Sequence, residues 1–73
     1  MPEDFLNPKL ILDKLKLRKD MIAADFGSGS GGWAIPLART LEDGFVYAID
    51  ILEEPTSVLK GKISRERISN TFL

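Results

Sequence analysis

Four glycines fall within six residues, Gly27-Ser28-Gly29-Ser30-Gly31-Gly32, directly behind the run Met21-Ile22-Ala23-Ala24-Asp25-Phe26. Glycine loses more conformational freedom on folding than any other residue, so four together are a poor choice for a plain connection. They suit a backbone that turns tightly through positive φ and brings bare N–H groups close to a ligand. Trp33-Ala34-Ile35-Pro36-Leu37-Ala38 follows with helical spacing, and the unpaired first N–H groups of such a helix point back at the same turn. An apolar strand, a glycine turn and a helix start make a socket for an anionic or carboxylate-bearing group. The plainer alternative is a tight strand-to-helix turn with no ligand.

The rest of the chain can be laid out around that turn. Asn7-Pro8 predicts a helix start, a capping side chain followed by proline in the first turn. That helix covers 8–16, with Leu10, Ile11, Leu12 and Leu15 on one face. Residues 21–26 read as a strand without polar alternation, the pattern of a strand buried on both faces. The helix behind the glycines covers 32–41 and turns Ala34, Leu37, Ala38 and Leu41 toward the sheet. In the turn Glu42-Asp43-Gly44, Gly44 is available for a left-handed conformation. Phe45-Val46-Tyr47-Ala48-Ile49 is a second strand with Tyr47 in the core, and Asp50 closes it. Glu53-Glu54-Pro55 opens a third helix, on which Val58, Leu59 and Ile63 pack together with Ile68. Lys60, Lys62, Arg65, Glu66 and Arg67 stay in water. Thr71-Phe72-Leu73 has strand character. This order predicts an α/β chain with a parallel sheet and right-handed crossovers.

With 73 residues the chain is one small domain, and a domain of this size buries only about 60% of the surface its unfolded form exposes. It has no cysteine and no histidine, so disulfides are excluded and a zinc or haem site is not expected. Ten basic against eleven acidic residues leave no electrostatic footprint for nucleic acid. Lys60, Lys62, Arg65 and Arg67 read as a solvated helix face whose field Glu66 blunts. Met1-Pro2-Glu3-Asp4 is acidic where a secretion signal is basic. The apolar runs are too short to span a bilayer. Together with the lack of cysteine, this gives a cytoplasmic location and no membrane partner as the expectation.

Asp25-Phe26-Gly27-Ser28-Gly29-Ser30-Gly31 resembles the first motif, acid-x-Gly-x-Gly-x-Gly, of class I S-adenosylmethionine-dependent methyltransferases. Residues 33–38 are similar to the helix that follows it, and Gly44-Phe45-Val46-Tyr47-Ala48-Ile49-Asp50 to the second strand with its terminal acid. The resemblance runs from about Asn7 onward and covers only the first half of a typical domain of the family. It implies a truncated Rossmann-like parallel sheet: a leading helix, then β-α-β-α and an incipient third strand, with helices mainly on one face. The whole of residues 1–73 is then a single partial S-adenosylmethionine-binding domain. By resemblance, Asp25 lies near the methionine amino group, and the backbone of Phe26, Gly27, Ser28, Gly29 and Gly31 approaches the amino-acid end. Asp50 accepts from the ribose hydroxyls, and Ile51 lies against adenine.

A dinucleotide (NAD) site is the main competitor, because Gly27, Gly29 and Gly32 also satisfy G-x-G-x-x-G and Asp50 stands at about the ~20-residue distance of a ribose acid. Asp25 argues against it: a carboxylate beside a doubly negative pyrophosphate is repelled, whereas beside an ammonium and a sulfonium it is attracted. Each acid also has a plainer role open to it, Asp50 as a strand terminator or turn cap and Asp25 as a cap for the loop amides. The family's later elements, which hold the methyl acceptor, are absent, so two roles stand. One is the cofactor-binding N-terminal half of a methyltransferase, inactive alone; the other is a non-catalytic self-assembling module. Either way, one face of the sheet and the edge of its first strand lack their usual cover. A homo-oligomer, or a second chain supplying the missing half, is the expected partner.

Overall fold

The structure, a computed structural model, describes residues 7–73; the acidic start, residues 1–4, lies outside the described residues. Helix α1 (Pro8–Leu15) begins where Asn7 Oδ1 accepts from the Leu10 amide at 3.3 Å, a side-chain cap on an otherwise unpaired donor. It stops at Lys16, whose left-handed backbone (φ 51°) turns the chain out of the helix. Strand β1 (Ile22–Phe26), helix α2 (Ala34–Thr40), strand β2 (Phe45–Ile49), helix α3 (Glu53–Arg65) and strand β3 (Thr71–Phe72) follow. The three strands form one parallel sheet in the order β1-β2-β3. This is the α/β architecture the sequence predicts, with the third strand reduced to two residues.

Register decides which side chains meet the helices. Ala23 lies opposite Val46 and Asp25 opposite Ala48, all on the face covered by α2 and α3. There Ala34, Ile35, Ala38 and Leu41 pack with Leu59, Val46 and Ala48 into the core. Ile35 and Leu59 are fully engaged, whereas Leu10, Leu15 and Val58, expected to pack, remain exposed. The opposite face carries Ile22 against Phe45, Phe26 against Ile49, and Tyr47 against Phe72. β2 is apolar on both faces and β1 at every position but Asp25, yet among the described residues only the face toward α2 and α3 is covered. Tyr47 is therefore not in the core. It is 46% exposed, its ring 5.7 Å from that of Phe72, which also lies 5.4 Å from Phe45.

Gly44 serves a different purpose from the one its turn suggests. Its φ is not left-handed; instead, a Cβ there would collide with the Met21 carbonyl oxygen. The turn is drawn onto the chain before β1 by the Asp43 amide, which donates to the Lys19 carbonyl at 2.9 Å. At the far end of α3, Arg67 (φ 54°) occupies the left-handed position that glycine normally fills. The Ile68 amide donates to Ile63 at 3.0 Å and Arg67 to Ser64 at 3.3 Å, the paired bonds of a Schellman ending. Asn70 then closes α2: its Nδ2 donates to the Ala38 and Leu41 carbonyls at 2.9 and 2.8 Å. Its own carbonyl accepts from Val46 at 2.8 Å, tying that helix end to the middle strand.

Candidate functional site

Parallel strands end on the same side, so β1 and β2 deliver Asp25 and Asp50 to one edge of the sheet, with the glycine turn between β1 and α2 beside them. Gly27, Gly29 and Gly31 all have positive φ (71°, 57° and 99°), conformations that a side chain would strain. At Gly27 and Gly29 no atom lies within 4 Å of where a Cβ would sit. Gly31 is different: its missing Cβ would fall 2.5 Å from Leu59 Cδ1, so the glycine lets α3 approach the loop from behind.

The loop is held largely by its own neighbours. The Gly27 and Ser28 amides donate to the Ile49 carbonyl at 2.6 and 3.1 Å, and the Gly31 amide to Ser28 at 3.1 Å. Asp50 carries the link between loop and second strand: Oδ2 accepts from the Gly29 amide at 2.8 Å and Oδ1 from the Leu52 amide at 2.9 Å. Those donors, Leu52 first and Gly29 next, stabilise the carboxylate and hold its pKa below the ordinary value. A charged acceptor thus stands at the sheet edge with lone pairs to spare.

Asp25 behaves in the opposite way. The residue is only partly buried, yet its Oδ2 is shut off from solvent and has no hydrogen-bond partner among the described residues. Burial raises its pKa. The capping role that the sequence left open for Asp25 is thus filled by Asp50. A raised pKa means that the folded chain keeps a proton the unfolded chain has released, so stability falls as pH climbs through that interval. Above the folded pKa the desolvation penalty is fully present. Asp25→Asn is accordingly expected to melt a few degrees higher than the wild type at pH 7. The gap should close below the ordinary carboxylate range, where both states of Asp25 are protonated. Thermal melts at pH 3 and pH 7 measure it; an Asn variant that melts lower at pH 7 would show that Asp25 is stabilised by contacts not accounted for.

The remaining predicted positions spread around this centre. Ser28 is buried, Phe26 points onto the open sheet face at 77% exposure, and Ile51 is almost wholly exposed. An open groove of ≈ 620 Å³ is lined by Gly29 and Ser30 on one wall and by Leu52, Glu53, Glu54, Pro55 and Val58 on the other. One contributor was not expected. Lys62, assigned to the solvated face of α3, donates from Nζ to the Ser30 carbonyl at 3.0 Å. The signal for it is its spacing, three residues beyond the buried Leu59 and therefore on the same helix face. Among the described residues there is no cluster of metal-binding side chains and no helix long and apolar enough to cross a membrane.

The fold is shared with solved methyltransferases. The chain superposes over its whole length on a SAM-dependent methyltransferase from Aquifex aeolicus with a TM-score of 0.83 and 28% identity, spanning 40% of that chain. It covers 31% of a chain of the fibrillarin/Nop5p complex, to which 88% of it aligns at 32% identity and a TM-score of 0.71. Among curated proteins it is 39% identical over 59 residues to a probable cobalt-precorrin-6B C(15)-methyltransferase (decarboxylating) of Methanocaldococcus jannaschii. That match takes in 81% of this chain and 31% of the relative. No family model matches the chain. The chain has the Rossmann-like fold of the class I S-adenosylmethionine-dependent methyltransferases, and it is a portion of that fold. It spans about a third of the curated relative's length.

Proposed function

We propose that the chain binds S-adenosylmethionine, or its demethylated product, at the edge formed by Asp25, the glycine loop and Asp50, and that by itself it transfers no methyl group. The observation that carries this reading is the buried, unpartnered Oδ2 of Asp25. A desolvated carboxylate without a partner is unfavourable, and a cationic ligand bound at this sheet edge offsets its charge. S-adenosylmethionine is such a ligand, with an ammonium and a sulfonium. The open space at Gly27 and Gly29 supports the same reading, as does the charged Asp50 carboxylate, an acceptor suited to a ribose diol. When bound, the cofactor supplies a methyl group activated by its positive sulfur. Asp25 faces the cation, the loop backbone walls the ligand, Asp50 orients the ribose and Ile51 covers the adenine. The acceptor must be oriented against the methyl group for transfer, and the chain spans only 31% of the curated relative and 40% of the Aquifex aeolicus chain. Binding without turnover is therefore the proposed role, with the matched methyltransferases supporting the ligand and not the acceptor.

Calorimetry of the purified chain with S-adenosylmethionine, S-adenosylhomocysteine and NAD tests it. The first two are expected to bind weakly and in preference to NAD, with no labelled methyl group incorporated into added extracts. Asp50→Ala should weaken binding by roughly tenfold or more, as for other hydrogen bonds to a charged group. Equal affinity of variant and wild type would remove Asp50 from the site, and tighter binding of NAD would overturn the ligand.

A further inference from the structure

Lys62 is the one cation that reaches the glycine loop through a hydrogen bond among the described residues, and it does so from α3. It shares a face of α3 with Leu59, which packs where Gly31 lacks a side chain. The peptide unit joining Ser30 to Gly31 is consequently held at both ends. Its carbonyl accepts from Lys62 Nζ at 3.0 Å, and its N–H donates to the Ser28 carbonyl at 3.1 Å. Such a peptide has two accessible orientations when glycine follows, because Gly31 tolerates φ on either side of zero. Ser30 and Gly29 form one wall of the groove, so the orientation of this peptide decides which groups that wall presents.

We infer that Lys62 is a positioning residue for the ligand site: its ammonium holds the Ser30 carbonyl against α3 and so selects one orientation of the loop before any ligand arrives. This rests on the proposed cofactor site. A charge-assisted bond is stronger than a neutral one, and its stem crosses from α3 to the loop beside the packed Leu59. Two anchors one helical turn apart, one apolar and one charged, fix the loop to the helix that forms the opposite wall. Preorganisation of this kind strengthens binding by removing the ordering that the ligand would otherwise impose.

The test compares Lys62→Met and Lys62→Arg with the wild type, by calorimetry with S-adenosylhomocysteine, by amide hydrogen exchange and by thermal melting. Lys62→Met is expected to raise Kd by roughly fivefold to tenfold and to speed exchange of the Gly31 amide, with amides of α2 and β2 and the melting temperature little changed. Lys62→Arg, which keeps a cationic donor, should restore most of the affinity and the Gly31 protection. Unchanged Gly31 exchange in Lys62→Met would overturn the inference, as would unchanged affinity. Exchange accelerated equally across the whole chain would overturn it too, because that is general destabilisation. A wild type that binds no S-adenosylhomocysteine would overturn the proposed function instead, and Gly31 exchange would still report whether Lys62 holds the loop.

Discussion

Gly44→Ala is expected to lower the melting temperature of the chain by roughly 5–20 °C. A Cβ at this position meets backbone, the carbonyl of Met21, and no rotamer change can clear it. That same carbonyl accepts from Phe45 at 3.4 Å at the start of the β1–β2 pairing, and the Gly44 amide donates to Leu41 at 2.9 Å. Making room therefore means moving the first rung of the sheet away from the end of α2, where Leu41 is fully buried. Overpacking against rigid neighbours costs about 1–3 kcal/mol and sometimes more, and a chain this small has a total stability of roughly 5 kcal/mol. Circular-dichroism melts decide it: the variant's transition should move down by that interval. Gly61→Ala is the matched control. Gly61 lies within α3 with only Arg65 Nη1 nearby, at 3.7 Å, so alanine there should stabilise by about 0.5–1 kcal/mol. A Gly44→Ala chain that melts with the wild type would mean that the turn can slide along β1.

Gly44 also shows where reading the sequence stops. Its turn is legible from Glu42-Asp43-Gly44, but the reason for glycine lies twenty-odd residues upstream, in the approach of Met21. Features set by neighbours along the chain were readable. The Asn7 cap, the strand ahead of the glycines, the positive φ of Gly27 and Gly29, and the parallel order all follow from local pattern and chirality. Features set across the fold were not. Tyr47 sits in a run apolar at every position, so nothing in the run itself marks its face as the uncovered one. Asn70, whose amide closes α2, follows a helix to which it does not belong, and its sequence neighbours give no hint of Ala38 or Leu41.

The candidate site divides along the same line. Both acids and the glycine loop are legible as a cluster, because strand ends and a strand-to-helix turn must fall together in a parallel sheet. Their division of labour is not. Asp50 accepts the loop and helix amides and is kept ionised, while Asp25 is desolvated and left unpartnered. The difference arises from register and from which face α2 and α3 cover, and neither is written within five residues of either acid. Lys62 is intermediate: its helical spacing from Leu59 was available, but charge outweighed position in placing it in water.

The second large effect expected is self-association through the open face of the sheet. Ile22, Phe26, Phe45, Tyr47, Ile49 and Phe72 share that face and are 43–77% exposed. Together they present roughly 500 Å² of apolar surface, in the range of a monomer's largest patch (about 300–600 Å²), which is often functional. Burying it returns on the order of 10 kcal/mol per copy at ~25 cal/mol per Å², against an association cost of about 4–15 kcal/mol for the pair. The strand residues on this face carry no charge, so a second copy related by a two-fold axis meets it without like-charge repulsion. The tilted rings of Phe45, Tyr47 and Phe72 are already packed side by side, which limits the side-chain ordering that association requires. For the purified chain a second copy is the occupant at hand, and a homodimer with sheet packed on sheet is the expected state. Sedimentation equilibrium at micromolar concentration should report at least twice the 8.1 kDa chain mass. Tyr47→Lys, which sets two ammonium groups into the same interface, should shift the equilibrium to monomer while the helical circular-dichroism signal persists. A wild-type monomer with a sharp melt would overturn the dimer and leave the face to a partner of different sequence.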